Sequence, residues 1–270
     1  MTRWGTVYRF LRSPRWLVAH VLLAAVAAAC VSLGLWQLRR LDERRAFNAT
    51  VEQGLKAVQV PLASVLGEPA SSLSYRRVVA TGRYLPREEV LLGPLSRDGA
   101  PGYDVLTPLV SGEDAILVDR GWVPFEFSAP PVAPAQPPEG EVTVTGYLLP
   151  PRPARRAGPV GAKQLDFVSD PDIARLAGQV SVPLAPVYLV LLEQAPALGD
   201  LPRPGVVPVL GEGPHLSYAV QWLLFATIAV VGYPFLIRRR AVDLAGRRDG
   251  PPPSPPTGSP TPPARDRLVG

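Results

Sequence analysis

Two long stretches without a charged residue constrain this chain more than any other feature of its sequence. The first runs from Leu17 to Leu35 and the second from Leu216 to Ile237. Crossing the hydrocarbon core of a bilayer takes a helix of about 20 mainly apolar residues, and a charge near its centre costs about 2.5 kcal/mol or more. Both stretches meet these conditions, and neither shows the polar face that a core helix normally has. We therefore predict two transmembrane helices, over residues 16–38 and 215–237.

The charged residues are distributed unequally between the segments that these helices separate. Residues 41–214 carry a net charge of −5, while the rest of the chain carries +10. The basic residues thus lie beside the apolar stretches, and no nucleic acid is expected as a partner despite a pI of 9.6. Four arginines precede the first stretch and three directly follow the second, which is typical of cytoplasmic flanks. The arginines that follow the first stretch oppose this orientation, although two acidic residues dilute them.

A multi-pass arrangement in the cell membrane follows from this distribution. Both termini, residues 1–15 and 238–270, are predicted to be cytoplasmic, and residues 39–214 are predicted to form an extracytoplasmic domain. The C-terminal segment is basic and rich in proline, and we expect residues 251–263 to be disordered.

The first apolar stretch also has features of a cleavable signal peptide. Basic residues precede it, and it contains the small run Ala27-Ala28-Ala29-Cys30. However, the apolar run continues to Leu38, and Ala27 stands where a lipoprotein signal usually has leucine, so we favour an uncleaved helix. Cys30 is the single cysteine, so no disulfide can form within the chain, and we expect it to be a small interior residue.

The central segment has the pattern of a β-rich domain. Short apolar segments separated by turn residues predict strands at 78–84, 89–92, 103–109, 115–119, 142–147 and 186–192. Turns are predicted at Arg97–Gly99 and Ser111–Asp114, and a long surface loop at 125–140. The segment Ser169–Asp172 is predicted to cap a short helix that runs to Ala177. Pro171 is expected at its first position, and Gly178 should end it.

The fold class follows from these elements. We expect a membrane protein in which two transmembrane α-helices flank a β-rich (α+β) extracytoplasmic domain. The domain itself is expected to be a mainly antiparallel sheet or small barrel with one or two helices. The first membrane helix should extend a few turns beyond the bilayer before Pro61 stops it.

Catalytic motifs are absent from the sequence. It contains no phosphate-binding glycine loop, paired-cysteine metal site, zinc-hydrolase motif or nucleophilic serine elbow. Both histidines lie in or beside the apolar stretches. A histidine-based acid/base site inside the central domain is therefore excluded, unless His215 folds back onto it, and we expect no enzymatic activity.

The start of the second helix carries one candidate site. Tyr218 and Trp222 follow His215 at i+3 and i+7, so the three side chains share one face of a helix. A neutral imidazole can hold haem iron axially while aromatic rings pack against the macrocycle. An aromatic belt at a membrane interface, with His215 as a polar interface residue, gives the same pattern. On spacing alone, we favour the aromatic belt.

Five fragments, in this order along the chain, resemble the surfeit locus protein 1 family, whose members assist the assembly of cytochrome c oxidase. The resemblance covers roughly residues 15–241 and is carried by Gly34–Arg40, Gly82–Tyr84, Arg97–Pro108, Val118–Pro124 and His215–Trp222. Only two of the 28 basic residues are lysine, which is typical of a GC-rich bacterial genome.

The resemblance implies an assembly factor that handles haem A and assists its insertion into the catalytic subunit of the oxidase. His215 looks like the family's haem-binding histidine, which would ligate the iron, and Trp222 looks like its pocket tryptophan. Tyr218 is added from helical spacing alone. The implied partners are that catalytic subunit, the lipid bilayer and haem A synthase. The alternative is a scaffold that binds no haem and docks the oxidase subunit. For Gly102-Tyr103 and Arg120-Gly121-Trp122, we favour structural roles over a docking surface.

Overall fold

The computed structural model describes residues 8–153, 165–197 and 199–248. The chain divides into two compact units. The first unit combines the chain up to Leu41 with the chain from Gly213 onward, and the second comprises Asp42–Glu212. The predicted disordered tail, 251–263, lies outside the described residues.

Long helices dominate the first unit and short strands the second. The α-helices in the described part of the chain are α1 (Pro14–Lys56), α2 (Ile173–Leu176) and α3 (His215–Arg248). The strands there are β1 (Val60–Pro61), β2 (Arg77–Tyr84), β3 (Val90–Arg97), β4 (Ala100–Ser111), β5 (Asp114–Pro124), β6 (Val142–Leu149), β7 (Phe167–Val168) and β8 (Leu184–Ala195).

Helices α1 and α3 are antiparallel within the first unit. Gln37, late in α1, contacts His215 at the start of α3, and His20, early in α1, contacts Tyr233. Both helices are long and apolar enough to cross a membrane. Only 11% of the most apolar part of α1 and 6% of that of α3 is buried. The core helix of a soluble protein would be mostly buried, so these helices expose their apolar side chains to the surroundings.

Small residues line the seam between these two helices. On α1, Cys30 and Gly34 are buried, and on α3, Ala219 and Ala226 are buried. A β-carbon on Gly34 would lie 3.0 Å from the side chain of Leu223 and 3.5 Å from the carbonyl oxygen of Ala219. Small side chains allow helix backbones to approach closely in apolar surroundings. Cys30 is a small interior residue, as expected from the sequence.

The second unit is a small β-barrel with additional strands at its edge. Strand β2 pairs with both β6 and β4, so the order β2-β6-β8-β5-β4 closes on itself. Within this ring only β5 and β8 are parallel. Strand β3 pairs antiparallel with β4, and the two-residue strands β7 and β1 add in parallel to β3 and β2. A mainly antiparallel sheet or small barrel was predicted, and the closed ring is the second of these. The flanking of a β-rich domain by two apolar helices is also confirmed.

The barrel domain contains a buried ion pair. Glu89 and Arg120 are fully buried, and one guanidinium nitrogen lies 3.3 Å from the Glu89 carboxylate. The same carboxylate accepts hydrogen bonds from the Thr107 hydroxyl (3.1 Å) and the Val132 amide (2.8 Å). Arg120 also donates to the Ala135 carbonyl oxygen at 2.7 Å. These partners stabilise charges that would otherwise be costly to bury.

The segment 125–140 was predicted to be a surface loop, and this is only partly correct. Most of its residues are exposed, but Val132 and Ala135 are buried in an apolar cluster with Leu91 and Val105. Its backbone supplies two of the hydrogen bonds to the buried ion pair. The proline-rich composition therefore predicted the irregular backbone correctly. It did not predict that Val132 and Ala135 are buried.

The predicted short helix is also displaced from its expected start. Its cap is Asp172, whose side chain accepts a hydrogen bond from the Arg175 amide at 3.2 Å. Pro171 therefore precedes the cap and is not the first helical residue. The turn predicted at Arg97–Gly99 is confirmed, since Asp98 and Gly99 adopt φ angles of 53° and 81° between β3 and β4.

Candidate functional site

His215 is the first residue of α3, and the residues before it define its position. Pro214 precedes the helix, and its carbonyl oxygen accepts hydrogen bonds from the Ser217 hydroxyl (2.8 Å) and the Tyr218 amide (3.1 Å). Gly213 has a φ of 67°, which favours glycine. His215 therefore begins a hydrogen-bonded first turn of helix, which fixes the position from which its imidazole projects.

Gln37 of α1 holds the imidazole ring of His215. The amide oxygen of Gln37 lies 2.9 Å from His215 Nδ1, and the contact is partly buried. With the amide oxygen of Gln37 as acceptor, this contact is a hydrogen bond in the tautomer whose proton lies on Nδ1. In a neutral imidazole with this tautomer, Nε2 keeps its lone pair. Histidines that ligate metals are commonly oriented in this way by a partner on the other nitrogen.

The two aromatic residues predicted for this site differ in their surroundings. Trp222 is half-buried and lies on the same side of α3 as His215 and the buried Ala219. It makes an edge contact with Phe225, with ring centroids 6.0 Å apart. Tyr218 lies at the margin of this face and is 45% exposed. Trp222 is therefore partly shielded, whereas Tyr218 is more exposed.

His20 lies at the other end of the helix pair. Its Nδ1 contacts the Tyr233 hydroxyl, and the two rings meet edge to face with centroids 5.5 Å apart. Tyr233 follows His215 by 18 residues in α3, which corresponds to about 27 Å at 1.5 Å per residue. His20 and His215 therefore cannot ligate one metal ion in this arrangement of the helices.

These residues fit the ligation of a haem iron. His215 offers an imidazole whose Nδ1 contacts Gln37, so Nε2 is the nitrogen left for a ligand, and Trp222 offers an aromatic surface on the same side of α3. Sequence reasoning missed Gln37 as a site residue. It lies within the fragment Gly34–Arg40, but its role depends on the pairing of the helices.

The fragment around Trp122 in the second unit is structural. Gly121 has a φ of 120°, and a β-carbon there would collide with the backbone of Arg203. Trp122 is buried and exchanges backbone hydrogen bonds with Arg203, at 2.8 and 2.9 Å. The structural role favoured for this fragment is therefore supported by its packing.

The chain is thus a protein with two apolar helices on either side of a closed β-barrel domain in the sequence. A histidine begins the second helix. The chain belongs to the SURF1 family, whose model matches residues 24–227. This confirms the resemblance to the surfeit locus protein 1 family found in the sequence.

Several relatives show how far the similarity extends. A SURF1-like protein of Mycobacterium tuberculosis is 34% identical over 261 residues, covering 92% of this chain and 93% of the relative. This mycobacterial relative fits the GC-rich bacterial origin inferred from the arginine content. A SURF1-like protein of Monosiga brevicollis is 27% identical, covering 85% of this chain and 91% of its own. The cytochrome oxidase assembly protein SHY1 of Saccharomyces cerevisiae is 33% identical over 112 residues, which are 40% of this chain and 29% of the yeast protein.

Proposed function

We propose that this protein is an assembly factor for cytochrome c oxidase that spans the cell membrane twice and holds haem A through His215. The role in oxidase assembly is supported by membership of the SURF1 family and by the similarity to the yeast assembly protein. The partner in this role is the catalytic subunit of the oxidase. The protein performs no bond chemistry of its own.

The membrane location is supported by the exposure of both helices. Side chains such as Val21 (70% exposed) and Phe235 (68% exposed) would contact water unless lipid surrounds them. The basic residues before α1 and near the end of α3 favour cytoplasmic termini. The β-barrel domain then lies on the outer side.

The hydrogen bond between Gln37 and His215 is the observation that carries the haem proposal. It leaves Nε2 of His215 as the ligating nitrogen, with Trp222 packing against the macrocycle and Tyr218 at the margin. The imidazole of His215 would hold haem A, which would supply an iron centre that a histidine nitrogen can ligate. Gln37 would orient the ring through Nδ1, as partners of metal-ligating histidines commonly do.

A spectroscopic comparison of variants tests the haem proposal. The protein is purified in detergent from cells that make haem A, and its absorption spectrum is recorded in the oxidised and reduced states. We expect a haem band in the wild type, its loss in His215→Ala, and retention in the matched control His20→Ala. Gln37→Leu should weaken haem affinity by about 10- to 100-fold, as is typical when a ligand's hydrogen-bonding partner is removed.

Oxidase levels in the same strains separate the haem proposal from its alternative. A wild-type protein without a haem band, together with normal oxidase in the His215→Ala strain, would contradict the haem site. That result would favour a scaffold that docks the oxidase subunit without haem. The exposed aromatic side chains of α3, Tyr218 (45%) and Phe225 (43%), are the surface that such a scaffold would present.

A further inference from the structure

A short apolar loop precedes α3 in the sequence and has no part in the proposed haem site. It comprises Val206–Leu210, the 206–210 loop, and it forms neither helix nor strand. Its four aliphatic side chains are between 39% and 89% exposed, and the stretch Gly205–Gly211 contains no polar or charged side chain. Single exposed apolar residues are common, whereas a contiguous exposed group of them marks an interaction site. The loop is therefore a candidate interaction surface.

Hydrogen bonds hold the chain on both sides of the 206–210 loop. At its start, the Tyr147 hydroxyl donates to the carbonyl oxygen of Val206 at 3.2 Å. Just after its end, Nε of Arg44 donates to the carbonyl oxygen of Gly211 at 2.8 Å. Within the described part of the chain, no hydrogen bond reaches residues 207–210. The protein thus fixes both ends of the loop and leaves its side chains exposed.

The arginines that hold the end of the loop lie close to the predicted outer end of the first membrane span. Leu38 is the last residue of that span, and Arg44 follows it by six residues in α1. At 1.5 Å per residue, this corresponds to about 9 Å along the helix. Arg45, the next residue, pairs with both carboxylate oxygens of Glu212, at 2.7 and 3.1 Å. The end of the loop is therefore held near the level at which α1 leaves the hydrocarbon core.

The start of the second span limits the position of the loop from its other side. Leu210 precedes His215, the first residue of α3, by five residues. Five residues span at most about 17 Å even when fully extended. The headgroup region adds about 5–8 Å to each side of the hydrocarbon core. Side chains of the 206–210 loop can therefore reach the headgroup region of the outer leaflet.

The composition of the loop favours lipid over a partner polypeptide. Protein interfaces draw most of their binding energy from tryptophan, tyrosine and arginine, and the loop contains only valine, leucine and proline. Pro208 also lacks a backbone N–H, which interrupts pairing with a strand of another chain. Aliphatic side chains are instead suited to the boundary between lipid headgroups and acyl chains.

The backbone of the loop limits how deeply it can lie. Unpaired amide and carbonyl groups are costly in the hydrocarbon core, where no water can bind them. The headgroup region retains water for these groups, and its inner edge accepts aliphatic side chains. The expected depth is therefore the boundary and not the core.

We propose that the 206–210 loop inserts its aliphatic side chains into the outer leaflet of the bilayer, at the boundary between headgroups and acyl chains. The partner is thus a lipid surface, and the loop gives the β-barrel domain a membrane contact separate from the two spans. The inference rests on the membrane spans of the proposed function, and it uses no residue of the haem site.

Fluorescent labels at single cysteines test the insertion of the loop. Cys30 is first changed to alanine, and Val209→Cys in the full-length protein then carries an environment-sensitive fluorophore. The protein is placed in nanodiscs of phosphatidylcholine and phosphatidylglycerol that contain nitroxide lipids. The nitroxide lies either near the headgroup or near the end of the acyl chain. We expect the label at Val209 to lose more fluorescence to the shallow nitroxide than to the deep one.

Two further labels serve as controls. Val58→Cys is the matched control, because Val58 is 81% exposed and follows the end of α1 at Lys56. Lys56 lies about 27 Å beyond Leu38 along the helix, so neither nitroxide should quench a label at Val58. Ile228→Cys, near the middle of the apolar stretch of α3, should lose most fluorescence to the deep nitroxide.

The labels distinguish a failure of the loop proposal from a failure of the membrane spans. Quenching at Ile228 without quenching at Val209 would overturn the loop proposal and leave the spans intact. No quenching at Ile228 would contradict the spans themselves, and the loop proposal with them.

Two other results would also overturn the loop proposal. Equal quenching at Val58 and Val209 would show that the domain adsorbs to lipid without a specific contact. A label at Val209 that is shielded from aqueous iodide, yet unaffected by either nitroxide, would show that a second copy or another protein covers the loop. Thermal unfolding of each labelled variant confirms that it is folded.

Discussion

Asp104 holds its carboxyl group in surroundings that favour the protonated form. Its pKa is raised to about 6 by burial, against the opposing charge of Arg97, whereas an unfolded chain gives an aspartate a pKa of about 3.9. Between these two values the unfolded chain ionises and the folded chain does not, so rising pH favours unfolding. The ionised carboxylate of Asp104 therefore lowers the free energy of unfolding fully above about pH 6, and it does not lower it below about pH 4.

Asp104→Asn should accordingly stabilise the protein at neutral pH. We expect the free energy of unfolding to rise by at most about 3 kcal/mol near pH 7.5 and to change little near pH 4, since about two pKa units are involved. Chemical unfolding of the wild type and the variant in detergent, followed from about pH 4 to 7.5, measures this difference. Asp114→Asn should follow the wild type throughout. A difference between Asp104→Asn and wild type that does not grow with pH would contradict the electrostatic account.

The sequence predicted the site residues that belong to a recognisable local fragment. It missed those whose role depends on contacts between segments distant in sequence. His215 and Trp222 were found because the fragment His215–Trp222 resembles a known family. Gln37 was not assigned, because it contacts a residue 178 positions away and only the pairing of two helices reveals the contact. Asp104 lies in a fragment that was recognised, but the burial of its carboxyl group depends on strands distant in sequence.

At the scale of elements, local patterns predicted the strands that pair with sequence neighbours. Strands at 103–109 and 115–119 and the turn Ser111–Asp114 between them were predicted, and β4 and β5 pair across this turn. The two-residue strands β1 and β7 were not predicted, because each exists only through parallel pairing with a strand remote in sequence. Closure of the barrel by the pairing of β2 with β4 is another non-local feature.

The pairing of α1 with α3 depends on Gly34. A β-carbon at this position would lie 3.0 Å from Leu223, so a larger side chain must separate the two helices. We expect Gly34→Leu to reduce the free energy of unfolding by about 1–3 kcal/mol, as is typical of overpacking. It should also weaken haem binding, since Gln37 can then no longer reach His215. Thermal unfolding and the haem spectrum of the purified variant measure the two effects.

Gly232 provides the matched control for this substitution. It lies in α3, and a β-carbon there would meet nothing within 4 Å. Gly232→Leu should therefore leave both the melting temperature and the haem spectrum close to those of the wild type. Equal effects of the two substitutions would indicate that glycine matters for the helix itself and not for the contact between helices.

At the scale of the whole molecule, the separation of charge is the feature on which the proposed topology rests. The segment between the two helices is acidic, whereas the segments outside them are strongly basic. The translocation of a long domain is largely independent of its charge, while basic residues that flank a membrane helix tend to stay in the cytoplasm. Under the proposed topology, both termini are expected in the cytoplasm and the β-barrel outside.

Reporter fusions provide a direct measurement of this topology. Green fluorescent protein, which fluoresces in the cytoplasm, should be fluorescent at either terminus of the chain. Alkaline phosphatase, which is active only outside, should be active when inserted at the exposed turn Gly112-Glu113 and inactive at either terminus. Changing Arg238, Arg239 and Arg240 to glutamine should reduce the fraction of chains with a cytoplasmic C-terminus, because each arginine contributes to retention. Termini that report opposite sides, or release of the protein from membranes by alkaline carbonate, would rule out two spans.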